Sequence, residues 1–255
     1  MGKIPIGLQV YSVRQDAEAD LAGTLAKIAK MGYDGVDFAG YYGHSAADVK
    51  KMLDDTGLKC CGGHLGLGTL LGDEFEKTVE YQAAIGNQYL IVPGLGSEYT
   101  NSRDAWVKTA GIFNEIADKL AAYDMFTGYH NHHTEFTALD GELPWDTFMA
   151  NTSDRVIGQL DMGNGLFGGA DLVGLLKKYP GRSGTVHLKP FKTGLEGHDG
   201  FRPLIGEDSC PWSEIFAVCE TTGATKWYIV EYESDAFPPL EAVEKCLGKL
   251  REMGK

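Results

Sequence analysis

Four polar residues that can bind metal stand at or near the ends of four apolar runs in the second half of the chain. The runs are MFTGYHNH, VIGQLDMGN, GTVHLKP and WYIVEYE, and the residues in question are His130, Asp161, His187 and Glu231. A buried parallel strand has a nearly continuous apolar sequence, and α/β active sites open at the carboxyl ends of such strands. Two imidazoles and two carboxylates converging there would suit divalent Mn, Zn, Fe or Co. The pattern therefore predicts a metal site.

Each of these residues has an ordinary explanation when taken alone. His130 can be a hydrogen-bonded core histidine, and Asp161 in LDMGN can cap a helix or turn. Glu231 is harder to explain, because a carboxylate at the end of a core strand is costly unless it is paired or bound to a cation. Coincidence on four successive strands is improbable, so we predict that all four act together.

The elements that position these residues alternate between strand and helix along the whole chain. We predict eight strand–helix units with short connections, the first strand covering residues 4–13. Alternating order with right-handed crossovers implies a parallel sheet, and eight units close into a (β/α)8 TIM barrel. An open doubly wound sheet is the rival, but no Gly-x-Gly-x-x-Gly follows the first strand. No linker interrupts residues 1–255, so we expect one domain.

Composition and charge limit the partners and the compartment. The 255 residues are 43% hydrophobic and carry a formal net charge of −13. Such an acidic surface repels nucleic acid and anionic membranes, so neither is an expected partner. We find no signal peptide and no membrane span, and expect a cytoplasmic protein. The five cysteines, without a CxxC pair, are expected to be buried thiols.

A second group of polar residues surrounds the predicted ligands. Side chains alternate between the lumen and the helices of a barrel, so His132, Lys189 and Glu233 should share a face with the ligands two positions before them. His132 and Glu135 are candidate acid–base groups, and Lys189 is a candidate for holding a substrate oxygen or, alternatively, for a salt bridge to Glu233. The remaining candidates are expected to contact substrate: His64, Asn164, Gln9, Tyr11 and Glu233.

The chain resembles the xylose isomerase-like TIM-barrel superfamily, in particular its sugar phosphate isomerase/epimerase group. The matching segments extend over nearly the whole chain: GLQVYSVR, MGYDGVDFAG, YHNHHTEF, LDMGN, HLK and WYIVE. The combination is specific for the fold and the metal site, and much less so for the substrate.

The resemblance implies that Asp161, His187 and Glu231 are metal ligands. Many superfamily members use glutamate on the fifth strand, whereas His130 takes that place here, as in the inosose dehydratase-like branch; His132 is the alternative ligand. The group often has His-Leu-Lys-Asp on strand seven, but this chain has Pro190 in place of the aspartate. The reaction of a related family member therefore cannot be assigned to this chain from the resemblance alone.

The implied chemistry is removal of a proton next to a carbonyl in a sugar, ketose or cyclitol, through an enediolate stabilised by one divalent metal ion. Manganese is the first expectation, with Zn, Co, Fe or Mg as alternatives. Glu135 or His132 would take the proton, with Glu233 third. Return of the proton elsewhere gives isomerisation or epimerisation, our first expectation. Loss of a β-hydroxyl or β-glycosyl group gives dehydration or lyase chemistry, which the extra histidines favour slightly.

The remaining expectations concern two other classes of function and the partners of the chain. An apurinic-site endonuclease would need more metal ligands and a basic face for DNA, and the charge of −13 argues against it. A non-catalytic sugar-binding barrel should have lost ligands, whereas this chain keeps four. We see no phosphate-binding glycine loop, so the expected partner is an unphosphorylated sugar or cyclitol. Exposed apolar residues are compatible with a homo-oligomer.

Overall fold

The computed structural model describes residues 3–255 and contains a barrel of eight short parallel strands. The strands are β1 (Ile6–Gln9), β2 (Gly35–Phe38), β3 (Lys59–His64), β4 (Tyr89–Val92), β5 (Phe126–His130), β6 (Val156–Gln159), β7 (Thr185–Leu188) and β8 (Trp227–Val230). Their order around the sheet is β6-β5-β4-β3-β2-β1-β8-β7.

The two ends of the sheet, β6 and β7, meet through isolated contacts and not through a continuous ladder of hydrogen bonds. The amide of His187 donates to the carbonyl of Leu160 at 3.0 Å, and Asp161 forms an isolated parallel bridge with His187. The barrel is therefore nearly closed, which confirms the predicted (β/α)8 fold. The last contact of the barrel also joins two of the predicted metal ligands.

Helices surround the strands. They are α1 (Arg14–Ala19), α2 (Leu21–Met31), α3 (Ala46–Thr56), α4 (Glu74–Ala84), α5 (Ser97–Thr100), α6 (Arg103–Leu120), α7 (Pro144–Asn151), α8 (Met162–Phe167), α9 (Leu172–Lys178), α10 (Trp212–Cys219) and α11 (Pro239–Glu252). Helix α3 begins with a reciprocal capping box between Ser45 and Asp48, as its sequence indicates. It ends at Gly57, whose φ of 76° is readily adopted only without a Cβ.

The core lies between the strands and the helices. On β7, Val186 and Leu188 are fully buried beneath the helices, so the side chain between them, His187, faces the lumen. All five cysteines are buried and free, as expected. Among the described residues, no helix is long and apolar enough to cross a membrane.

The first strand is shorter than the predicted range of residues 4–13. It ends at Gln9, whose side-chain oxygen accepts a hydrogen bond from the amide of Tyr11 at 3.0 Å and caps a 3-10 turn over Val10–Val13. The prediction that the first strand extends through Tyr11 is therefore wrong. The apolar and β-branched residues of this segment favoured a strand, but the local side-chain cap ends it.

Candidate metal centre and active-site cavity

The four predicted ligands meet at the carboxyl end of the barrel. His130 ends β5, Asp161 follows β6, His187 lies in β7 and Glu231 follows β8. One potential ligand atom from each lies within 4.8 Å of the others, and all four residues are buried. The strand ends thus bring together the two imidazoles and two carboxylates that the sequence singles out.

The imidazole of His187 is held between two carboxylates. Its Nδ1 lies 2.5 Å from Oε2 of Glu231, and its Nε2 lies 3.0 Å from Oδ2 of Asp37 in β2. Burial alone would lower the pKa of His187, but the two carboxylates raise it to about 9. Asp37 fixes the proton on Nε2, so a cation could replace the proton shared between Nδ1 and Glu231.

The side chain of Gln159 sets the tautomer of His130. Its amide nitrogen donates to the hydroxyl of Thr185 at 2.9 Å, which leaves the amide oxygen to accept. That oxygen lies 3.1 Å from Nδ1 of His130 and 2.8 Å from Nε2 of His64. His130 must therefore carry its proton on Nδ1, while burial holds its pKa well below the usual value. Its Nε2 keeps a free lone pair, as a metal ligand requires.

Asp161 has one carboxylate oxygen satisfied and one without a partner. Oδ1 caps α8 by accepting from the amide of Asn164 at 2.6 Å, whereas the buried Oδ2 has no hydrogen-bond partner among the described residues. Burial raises the pKa of Asp161 to about 7. A buried acceptor without a partner is costly unless something occupies it, and the other three ligands surround this position.

The charge balance of the site favours a bound cation. Asp37, Asp161 and Glu231 are three buried carboxylates, whereas the cations beside them are two: His187, whose pKa is raised to about 9, and the buried Lys189, whose Nζ lies 3.0 Å from Oε1 of Glu231. Burial opposes ionisation of Glu231, but Lys189 and His187 hold its pKa well below the usual range. Buried charges need compensation, and a divalent cation would supply it. The donor set of two nitrogens and two carboxylates thus fits a divalent metal.

A cavity of about 1040 Å³ opens above these ligands. Most of the predicted substrate and catalytic residues line it: Gln9, Tyr11, His64, His132, Asn164, Lys189 and Glu233. Tyr11 reaches the cavity from the 3-10 turn, not from a strand. Lys189 makes ion pairs with both Glu231 and Glu233, so the predicted salt bridge is present at the cavity wall.

Glu135 is the exception among the predicted catalytic residues. It is buried, is not among the residues that line the cavity, and its oxygens accept from the hydroxyl of Tyr129 at 2.9 Å and from the amide of His132 at 2.7 Å. Tyr129 faces the helices because His130 next to it faces the lumen. The geometry gives Glu135 a positioning task, because it anchors the backbone that presents His132 to the cavity.

Three polar residues at the site are absent from the sequence-based predictions. Asp37 and Gln159 hold the imidazoles as described, and Asn131 accepts from the amide of Asp161 at 2.8 Å, which joins the ends of β5 and β6. Each is fully buried. A single polar residue inside an otherwise apolar strand, as in GVDF and VIGQ, was the signal available for Asp37 and Gln159.

The substitution Asp37→Asn tests the orientation of His187. An asparagine amide can donate toward Nε2, and this would move the imidazole proton to Nδ1, the nitrogen that faces Glu231. We expect metal affinity to fall by about 10–100-fold, measured by competition with a chromogenic chelator. Asp34→Asn near the start of β2 is the matched control. An affinity unchanged in Asp37→Asn would show that this carboxylate does not orient a ligand.

Comparison with known proteins places this geometry in a family. Residues 25–253 match the model of the family described as xylose isomerase-like TIM barrel. An inosose dehydratase from Klebsiella pneumoniae is 25% identical, over 89% of this chain and 88% of that protein. The rhizopine catabolism protein MocC from Rhizobium meliloti is 23% identical, over 86% of this chain and 76% of its own length.

Solved structures agree with the fold. A sugar phosphate isomerase/epimerase from Parabacteroides distasonis superimposes with a TM-score of 0.81 at 26% identity and covers 98% of each chain. A structure described as IOLI protein with a binding zinc atom has a TM-score of 0.76 at 14% identity, which supports the fold alone. The family match covers most of the chain, and the barrel carries the residues that the resemblance implied. The chain belongs to the xylose isomerase-like TIM barrel family.

Proposed function

We propose that this chain is a divalent-metal-dependent enzyme that removes a proton next to the carbonyl of a keto-sugar or inosose. The observation that carries the proposal is the convergence of His130, Asp161, His187 and Glu231 at the base of a cavity that Lys189 also lines. When bound there, a divalent ion would act as a Lewis acid toward the substrate carbonyl. Manganese is our first choice, and zinc is the alternative, because the structurally similar IOLI protein binds a zinc atom.

Residues of the chain would bind the developing negative charge and remove the proton. Lys189 is a buried cation whose pKa, despite burial, is raised by Glu231, Asp161 and Glu233. It is thus charged and can donate a hydrogen bond to an oxygen that gains negative charge. His132 offers an imidazole at the cavity wall, and burial lowers its pKa, so it is a neutral base at neutral pH. Glu233 is the second candidate base.

The reaction that we favour is β-elimination. The base takes the proton from the carbon next to the carbonyl, a double bond forms between that carbon and its β neighbour, and the β carbon–oxygen bond breaks. The leaving oxygen departs with a proton, so one keto compound gives an enone and water or an alcohol. Two observations support this outcome. The relatives at 23–25% identity include inosose dehydratases, and the fifth-strand ligand is a neutral histidine, not a second carboxylate base.

Epimerisation or isomerisation is the second candidate. It shares the first proton transfer and differs only in where the proton returns. The solved relative from Parabacteroides distasonis, at 26% identity, carries the description sugar phosphate isomerase/epimerase. Glu233 would then be the second acid–base group, since it lines the same cavity as His132.

Deuterium exchange tests the shared step. The metal-loaded enzyme is incubated in D2O with a panel of unphosphorylated inososes and keto-sugars, and exchange next to the carbonyl is followed by NMR. We expect exchange with at least one compound, together with an enone that absorbs in the ultraviolet if elimination follows. Exchange with a new epimer and no enone would favour the second candidate. No exchange with any member of the panel, in protein that holds metal, would contradict the proposal and favour a binding protein.

A further inference from the structure

The active-site cavity continues beyond the metal ligands into an aromatic wall. This wall is formed by Phe167, His198 and Phe201, all of which line the cavity. Phe167 ends α8, and the other two lie in the loop after β7, in a 3-10 turn over Gly197–Phe201. One continuous cavity therefore borders both the predicted metal ligands and a set of aromatic rings.

The two phenylalanine rings of the wall pack on each other and on the protein behind them. The rings of Phe167 and Phe201 are 5.5 Å apart in an edge-to-face arrangement, and both pack on the buried Phe191, at 5.1 and 4.8 Å. The loop is held by a hydrogen bond from the amide of Lys192 to the carbonyl of Gly200 at 2.8 Å. A Cβ on Gly200 would lie only 2.2 Å from the ring of Phe191, so only glycine allows this packing.

The wall begins next to the reacting centre. The ammonium of Lys189 lies 5.4 Å from the ring centre of Phe201 and 3.0 Å from Oε1 of Glu231. A substrate ring held by Lys189 and the metal ligands would therefore direct its substituents toward Phe201 and Phe167. The cavity volume of about 1040 Å³ lies at the upper end of the roughly 300–1000 Å³ of pockets for drug-sized molecules. A single sugar ring leaves much of that space unfilled.

The charges of the cavity disfavour an anionic ligand. Among the described residues that line it, the lysine and arginine side chains are both paired with carboxylates: Lys189 with Glu231 and Glu233, and Arg202 with Asp235 at 2.8 Å. A phosphate would meet no unpaired ammonium or guanidinium group there. The aromatic faces of the wall suit a second ring, either a sugar with its apolar face on the wall or an aryl group.

We propose that the aromatic wall is a subsite for a second ring, so that the substrate is a keto-glycoside without a phosphate group. This inference rests on the proposed function and names its substrate class. The ring on the wall is the leaving group: the carbon–oxygen bond that joins it to the keto-sugar breaks, its oxygen takes a proton, and it departs as an alcohol while the keto-sugar becomes an enone. No oxidant or reductant is consumed.

Binding of unreactive ligands tests the subsite without any chemistry. The probes are 4-nitrophenyl and methyl β-glycopyranosides of gluco and galacto configuration, which differ only in the second ring and lack a carbonyl. We expect calorimetric titration of the metal-loaded protein to show at least tenfold tighter binding of a nitrophenyl glycoside than of its methyl counterpart. Equal affinities for both members of each pair, or no measurable binding of any nitrophenyl glycoside, would overturn the inference.

A variant pair assigns the preference to the wall. Phe167→Leu keeps an apolar side chain in the packing but removes the aromatic face, and should reduce the preference by about fivefold to tenfold. Phe126→Leu is the matched control, because this half-buried ring lies at the opposite end of the barrel, packed on Tyr89. A preference that survives in Phe167→Leu would overturn the assignment. Deuterium exchange on keto-sugars, with equal binding of nitrophenyl and methyl glycosides, would refute the subsite alone. Tighter binding of nitrophenyl glycosides, with no deuterium exchange, would refute the proposed reaction alone.

Discussion

The substitution Glu231→Gln is expected to remove the metal and with it nearly all proton exchange. The glutamine keeps the size of the side chain but loses the charge that balances His187 and Lys189. Loss of a charged ligand should weaken metal affinity by at least about 100-fold, more than loss of an outer partner does. Plasma mass spectrometry after mild dialysis should find about one equivalent of metal in the wild type and almost none in the variant.

Thermal unfolding supplies an independent measure of the same loss. A ligand at 100 times its Kd stabilises the folded state by about 2.7 kcal/mol. For a chain of this size, that corresponds to a rise in Tm of about 5–10 °C on adding metal. Glu231→Gln should abolish this rise, whereas the control Glu214→Gln, at an exposed position in α10, should keep it. Protein that takes up no metal in either form would refute a metal site at these residues.

The meeting of the four predicted ligands could be inferred from sequence because the barrel brings residues that are far apart in the chain to one edge. Parallel strands share one carboxyl edge, so polar residues at the ends of apolar runs must meet there. His130, Asp161, His187 and Glu231 obey this rule without any information about contacts between distant segments. The alternation of side chains along a strand, continued just past the strand ends, places Lys189 and Glu233 at the cavity.

The rule fails farther from the strand ends. Five residues past His130, Glu135 turns away from the cavity and accepts from the hydroxyl of Tyr129 and from the amide of His132. Tyr11 lies past the end of β1 because the side chain of Gln9 caps a turn. Both deviations arise from local hydrogen bonds between side chains and backbone, which compete with regular strand structure and leave little trace in hydrophobic periodicity.

Residues behind the ligands are difficult to predict for another reason. Asp37 comes from β2, 150 positions before the imidazole that it orients, and only the closed barrel brings the two together. Its pocket depends on Gly62 of the adjacent strand, where a Cβ would lie 2.9 Å from the Asp37 carboxylate. Such a pairing is a property of strand register, which a single sequence does not display.

The substitution Lys189→Met should slow catalysis strongly while leaving the metal in place. The ammonium contacts Glu231 and Glu233, but it cannot itself bind a metal ion. Its removal therefore leaves the two carboxylates more available to a cation. Loss of a donor to a developing oxyanion typically lowers the rate by about 100–1000-fold. We expect a drop of that size in deuterium exchange, with metal content unchanged at about one equivalent. This combination separates Lys189 from Glu231, whose substitution should lower both.

Stability must be measured beside the rate. Removing one partner of a buried ion pair can cost about 3–5 kcal/mol, so metal-free Lys189→Met should unfold at a lower temperature, and added metal should restore much of the loss by neutralising Glu231. Lys226→Met, an exposed position just before β8, controls for the loss of a lysine elsewhere. Exchange at the wild-type rate would show that Lys189 holds no reacting oxygen and is only a counter-ion. Loss of the metal together with the rate would show that its charge helps to assemble the ligands, because a group that acts only on substrate has no effect on metal content.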